Sequence, residues 1–247
     1  GVFSINNNIY IVGGILKNFA LSNANETYDI LTGTWSQKAS MPANRSRFGY
    51  FTIGEKGYVV GGILDNGEIT NSVISYDPTT NSWTTKSNLP IKMITDAVSD
   101  GTYGYVFGGV DENENIVPNG YIYNSTSDTW ETTTNKPIPT RGHALINVGN
   151  DIYLIGGIDA LEETVSNVEV YNITTKTFSN KARITTPRSY LGLFEKAGKI
   201  YAVGGLDKNW YSLNVNEKFD IEKNEWETDI PMNYARSSLN IAQVGSK

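Results

Sequence analysis

The chain has 247 residues, 39% of them hydrophobic, which is enough to bury the core of one large all-β domain or two smaller ones. With 26 acidic against 20 basic residues, its formal charge of −6 argues against a nucleic-acid backbone or an anionic membrane surface as partner. Cysteine is absent, which excludes disulfides, thiolate catalysis and cysteine-ligated metals, and no apolar run approaches the roughly 20 residues of a membrane-spanning helix.

The chain opens on Gly1-Val2-Phe3-Ser4, with neither a Met nor a signal-peptide pattern, and reads as a monomeric module of something longer. Its cysteine-free, Asn- and Thr-rich composition leans toward an extracellular or cell-surface setting and leaves the cytoplasm open. The first hydrophobic run ends in paired glycines, Gly13-Gly14, and the pattern returns at Gly61-Gly62, Gly108-Gly109, Gly156-Gly157 and Gly204-Gly205. Their first glycines are 48, 47, 48 and 48 residues apart, a period that marks a repeat array. Glycine in a strand costs roughly 0.5–1 kcal/mol relative to alanine, so ten of them in phase must answer a demand of the fold.

Fourteen residues after each second glycine stands an aromatic: Tyr28, Tyr76, Tyr123, Tyr171 or Phe219. Seven further on comes Trp35, Trp83, Trp130, Phe178 or Trp226. Between these markers the hydrophobic pattern alternates with period 2, so each repeat is built of strands. In the second repeat, residues 48–53, 57–61, 72–76 and 83–86 read as four strands. Short turns, Gly54-Glu55-Lys56 and Asp77-Pro78-Thr79-Thr80-Asn81, join the first pair and the last. The longer links then share the opposite face.

These residues resemble the Kelch family, whose repeat places a strand ending in Gly-Gly before a spaced Tyr and Trp. The resemblance covers essentially the whole chain and implies a β-propeller of four-stranded blades. The expected blades are 1–38, 48–86, 95–133, 143–181 and 190–229, within one domain over 1–247. The innermost strand occurs six times and the others five. Either residues 239–244 form a closing strand beside residues 9–13, giving five closed blades, or the ring is a truncated or incomplete six-bladed propeller.

Enzyme chemistry finds little support. His143 is the one histidine, which rules out a zinc or copper cluster of histidines and with it galactose oxidase as a functional model. Its position suits packing. Asp111-Glu112-Asn113-Glu114-Asn115 begins like a calcium loop, but Ile116 stands where the turn glycine belongs and Ile122 where the bidentate glutamate belongs. No catalytic residue, cofactor or metal is expected.

One constellation stands out. Arg45, Lys92, Arg141, Arg188 and Arg236 recur just before the innermost strand of successive repeats, beside loops carrying Asp65, Glu68, Asp111, Glu112, Asp159, Glu162, Glu163 and Asp207. Either the basic groups pair within the scaffold, or they converge on an anionic ligand such as a carboxylate. Trp210 and Tyr211, with Phe19, Tyr190 and Tyr234, add aromatic surface on the same links. The expected function is non-enzymatic binding of a protein or peptide, resembling Kelch adaptors of ubiquitin ligases that bind acidic motifs. The alternatives are a carbohydrate-binding surface module and a metal-independent sugar-processing enzyme similar to bacterial sialate mutarotases, with Arg188 or Arg236 on the sugar carboxylate and Glu163 moving protons.

Overall fold

The computed structural model describes residues 1–242, and every regular element among them is a β-strand. Four antiparallel sheets have four strands each. Sheet one comprises Val2–Ile5, Asn8–Val12, Asn25–Asp29 and Thr34–Gln37. Sheet two comprises Gly49–Ile53, Lys56–Val60, Val73–Asp77 and Ser82–Lys86, each within one residue of the strand expected from the sequence at both ends. Sheet four comprises Ala144–Val148, Asp151–Ile155, Val168–Asn172 and Thr177–Asn180. Sheet five comprises Gly192–Lys196, Lys199–Val203, Asn216–Asp220 and Glu225–Asp229.

Sheet three differs at its inner edge. Its first strand is broken into Met93–Ile94 and Ala97–Ser99, both paired with the long strand Tyr103–Asp111, before Ile116–Asn124 and Thr129–Thr133 complete it. The chain divides into two compact units. One holds Gly1–Asn115 and Gly120–Thr133, the other Ile116–Asn119 and Thr134–Ile241.

In each unit the aromatics at repeat phase fill the layer between neighbouring sheets. In the first, Phe3, Tyr10, Met41, Val59 and Tyr76 pack into one buried cluster with Trp83 against it. Phe3 stacks on Tyr10 at 5.5 Å, and Tyr10 meets Tyr76 at 5.5 Å. In the second, Tyr153, Val170, Leu191, Ala202 and Phe219 do the same with Trp226. A single sheet has two faces and cannot bury both alone, so stacking is what stabilises each repeat.

The glycine doublets are explained by backbone conformation and close approach. Gly61 and Gly62 lie at φ +63° and +93°, a region disfavoured for residues with a Cβ. A Cβ on Gly61 would stand 2.4 Å from the Met93 carbonyl oxygen, and the Gly62 N–H donates to that same oxygen at 2.9 Å. The doublet is a splice by which one repeat grips the link leading into the next.

Of the expected closing strand, residues 239–242 carry no strand assignment, and Gln243 and Val244 lie outside the described residues. Leu239 and Ile241 instead rest against the backbone of Gly192, where a Cβ would come within 3.1 and 2.7 Å of their side chains. Val2–Ile5 keeps the first place in sheet one, paired with residues 8–11.

Candidate functional site

The loops between the second and third strands share one turn. Its fifth residue after the glycine doublet sits at positive φ in every repeat: Phe19 (+64°), Gly67 (+80°), Glu114 (+64°), Glu162 (+62°) and Trp210 (+64°). In three repeats an aspartate organises the turn. Asp111 Oδ1 accepts from the N–H groups of Asn113 and Asn115, Asp159 from Leu161 and Glu163, and Asp207 from Asn209 and Tyr211, at 2.9–3.1 Å. Three of the eight acidic residues expected at the rim are thus engaged in holding loop backbone. The calcium-like start at Asp111 is one of these turns.

A left-handed backbone costs a residue with a side chain on the order of 1 kcal/mol, so the residue held there is presented at a price. In the fifth repeat that residue is Trp210, 55% exposed, followed by Tyr211, 70% exposed. Within the second unit the Arg141 guanidinium carbon lies 5.7 Å from the Trp210 ring centroid, a cation–π contact. Arg141 Nη2 also donates to Glu162 Oε2, and its Nη1 reaches the Tyr190 hydroxyl at 3.4 Å. Tyr190 itself lies at φ +52° and 6.5 Å from Trp210 between ring centroids. The Tyr190 ring covers Gly142, where a Cβ would sit 2.7 Å from the ring. Arg141, Glu162, Tyr190 and Trp210 therefore form one braced patch, with an indole face and the Tyr211 ring open to solvent.

The five basic residues do not share one position. Arg45, Arg188 and Arg236 do: each carbonyl accepts from the second glycine of the preceding doublet, at 2.9, 3.0 and 2.9 Å. Met93 carries that role in the second link, so Lys92 lies one residue before it. Arg141 lies one residue after Thr140, which stands at the corresponding repeat spacing.

Their side chains divide differently. Arg45 is buried and donates to the carbonyls of Gly61 and Ser72 at 3.2 and 3.0 Å. Burial pulls its pKa down to about 10, which leaves it charged near neutrality. Arg188 is fully buried, donating to Glu217, to Thr186 O at 3.1 Å and to Ala202 O at 2.8 Å. Desolvation lowers its pKa and the Glu217 carboxylate opposes that shift. Lys92 is exposed and pairs with Glu112 at 2.8 Å. The Arg236 side chain is exposed. Arg45 and Arg188 thus act inside the scaffold, while Lys92, Arg141 and Arg236 reach its surface. Phe19 and Tyr234 are also largely exposed.

Other groups become visible only with the fold. Lys136 and Glu169 form a second buried ion pair, and Glu169 Oε1 accepts from the Ile138 N–H at 3.0 Å. Glu217 likewise accepts from the Thr185 N–H at 3.1 Å. The common phase of Glu169 and Glu217, two residues before Tyr171 and Phe219, was the available sequence signal. Asp96 stands where other repeats place Gly49, Ala144 and Gly192, and its desolvated carboxyl is pushed up to about 7. It also helps raise the pKa of Tyr50, behind the larger effect of that ring's own burial. His143 is buried with Nδ1 3.2 Å from Thr140 Oγ1, a packing position. Among the described residues no three His, Cys, Asp or Glu side chains gather into a metal site.

Comparison with known proteins agrees with this architecture. The KLHDC2/KLHL20/DRC7 Kelch-repeats domain model matches residues 52–238, and the Kelch motif model matches residues 1–42. No curated protein matches the chain. Among solved structures, that titled "Structure of YjhT" superimposes with a TM-score of 0.85 at 18% identity, over 96% of this chain and 84% of that one. At that identity the likeness shows the fold, a β-propeller arrangement of sheets, of which the described residues form four four-stranded ones and one whose inner strand is broken in two. The chain belongs to the Kelch-repeat family.

Proposed function

We propose that the chain is a non-enzymatic binding module, one Kelch domain over 1–247, that takes a protein or peptide on the patch of Arg141, Glu162, Tyr190, Trp210 and Tyr211. The observation that carries this reading is Trp210. A large apolar side chain is held outward by a left-handed backbone, its ring braced by a guanidinium that is itself fixed by Glu162 and Tyr190. Pre-organised aromatic and arginine side chains of this kind are where binding energy concentrates. A carboxylate on the partner would exchange with Glu162 for Arg141, and the displaced Glu162 side chain, 63% exposed, would be hydrated by solvent. Arg188, engaged inside the scaffold, supports the link that carries Tyr190, and Arg45 has a comparable internal role within the first unit.

Selection of a displayed peptide library against the protein tests this. Enriched sequences should lose binding to Trp210→Ala by at least about 10-fold, corresponding to roughly 1.4 kcal/mol. Enrichment indifferent to Trp210→Ala would contradict the placement.

A second reading uses the same surface. The adjacent exposed rings of Trp210 and Tyr211 also suit the apolar face of a sugar, with Arg141 for an acidic one. A glycan array signal abolished by Trp210→Ala, with no enriched peptide, would favour carbohydrate over protein. A change in the bound sugar's anomeric ratio over time would move the reading to the sugar-processing enzyme.

A further inference from the structure

In four of the five loops that follow a glycine doublet, the residue four places on is an asparagine: Asn18, Asn66, Asn113 or Asn209. The next residue is the one held at positive φ, and it is Phe19, Glu114 or Trp210 except in the second loop, where it is Gly67.

Loops one and two make the same turn. In the first, the Leu16 N–H donates to Ala20 O at 2.8 Å and the Phe19 N–H to Leu16 O at 2.9 Å; in the second, Leu64 donates to Glu68 O at 3.0 Å and Gly67 to Leu64 O at 2.9 Å. In both, the asparagine Oδ1 accepts from the N–H two residues on, Ala20 at 3.2 Å and Glu68 at 3.0 Å. A side chain bonded in this way folds back along its own main chain, which brings its amide carbon beside the next backbone nitrogen. At Asn18 that nitrogen is screened by the side chain of Phe19. At Asn66 it belongs to a glycine and is open.

The chain holds a second Asn-Gly pair, Asn119-Gly120. It lies within the strand Ile116–Asn124, between two other strands of sheet three, with Gly120 opposite Thr133. There the backbone is extended and fixed by its ladder. Of the three asparagines, Asn66 alone combines the folded-back side chain with a following glycine, in a turn that is exposed from Asp65 to Glu68.

We propose that Asn66-Gly67 is a site of spontaneous covalent modification, at which Asn66 is converted through a cyclic imide to aspartate and isoaspartate. The exposed turn first opens the bond from Gly67 to Leu64 O. The Gly67 nitrogen then loses its proton to solvent base and attacks Cγ of Asn66. The Glu68 N–H, already on Oδ1, receives the developing oxyanion. The Cγ–Nδ2 bond breaks, and Nδ2 takes up a proton and leaves as ammonia. Water opens the ring: cleavage of the new N–Cγ bond gives aspartate, and cleavage of the bond between Gly67 N and the Asn66 carbonyl carbon gives isoaspartate. Water enters, ammonia leaves, and no oxidant or reductant is needed.

Either product sets a negative charge between Asp65 and Glu68, and isoaspartate also lengthens the main chain inside the turn. Ile63–Leu64 pairs with Arg45–Ser46, and Asp65 accepts from Asn44 Nδ2 at 2.6 Å, so the altered turn adjoins the link that carries Arg45. Because the amide is not restored, the extent of conversion records the age of the molecule.

The test is incubation of the folded protein at mildly alkaline pH, followed by proteolysis, mass spectrometry and isoaspartyl methyltransferase labelling. Residue 66 should gain about 1 Da and become a substrate for labelling, at least about 10-fold faster than Asn18 or Asn119. In urea, which removes the strand, Asn119 should convert as well. Gly67→Ala, whose Cβ meets nothing within 4 Å, should close the site, and Phe19→Gly should open one at Asn18. The proposal is overturned if Asn66 stays intact in the folded protein while converting in urea, or if Asn18 or Asn119 keeps pace with it in the folded protein. An unchanged rate in Gly67→Ala overturns it as well.

Discussion

The indole Nε1 of Trp83 donates to the carbonyl of Ala39 at 2.7 Å, tying the third and fourth strands of one repeat to the end of the repeat before it. This bond converts a sequence marker into an interface. Trp83 also packs on Tyr76 at 5.1 Å, and the Tyr76 hydroxyl reaches the same Asn81 that holds the Ala39 N–H. Trp83→Ala should therefore cost about 3–5 kcal/mol of unfolding free energy, and Trp83→Phe, which keeps most of the packing but leaves the carbonyl without its donor, about 1–2 kcal/mol. Urea unfolding of both variants measures this; a loss below about 1 kcal/mol for the alanine variant would contradict the placement.

Gly61 is a second position where the fold permits one residue. Gly61→Ala sets a methyl against the Met93 carbonyl in a left-handed backbone and should destabilise by about 2 kcal/mol or more. Gly54→Ala, also at positive φ but with open space around it, should cost only the conformational part, about 1 kcal/mol. Equal effects at the two sites would show that the close approach does not matter.

The buried Arg188–Glu217 pair makes a prediction about paired and unpaired charge. Glu217→Ala strands the guanidinium and should cost about 3–5 kcal/mol, whereas replacing both, Arg188→Met with Glu217→Leu, should cost much less. Thermal or denaturant unfolding of the two variants distinguishes these. A double variant as damaged as the single one would mean that the bonds of Arg188 to the carbonyls of Thr186 and Ala202 outweigh the ion pair.

Asp96 predicts a pH dependence of definite sign. Its folded pKa, pushed by desolvation to about 7, lies above the ordinary carboxylate value of about 3.9, so the folded state holds the proton over that interval. The contribution of this group to stability is therefore fully present below about pH 4, falls as pH rises toward 7, and stays low above it. Asp96→Asn should remove that component and raise stability at pH 8 by about 1–3 kcal/mol relative to wild type. Denaturant unfolding at pH 4.5 and 8 checks the difference between the two proteins; an identical pH slope would rule out Asp96 as its source.

Most of the fold was legible in the sequence because the doublets and aromatics recur in phase, and each turned out to have a physical task that only those residue types perform. Glycine alone tolerates the φ of Gly61 beside a carbonyl, and Trp83 alone offers a large apolar face with one donor at its far end. The site was less legible. Lys92 and Arg141 lie one residue to either side of the position shared by Arg45, Arg188 and Arg236, and a linear count of three or four residues could not separate them. That step separates Arg141, which reaches the surface, from Arg188, which turns into the scaffold, but position alone does not decide, since Arg236 shares the place of Arg188 and is exposed. Nor could composition reveal that Asp111, Asp159 and Asp207 are consumed by backbone N–H groups of their own loops. Trp210 stood out because it falls outside the packing phase, but its left-handed backbone and its contact with Arg141 exist only in three dimensions.

The most direct test of the binding surface is the dissociation constant of a peptide selected against the protein, measured by titration calorimetry with wild type, Trp210→Ala and Arg141→Ala, and with Lys92→Ala as a surface control in the first unit. The account predicts at least about 10-fold weaker binding for Trp210→Ala and for Arg141→Ala, and an unchanged constant for Lys92→Ala. Affinity unaltered by both Trp210→Ala and Arg141→Ala would contradict it.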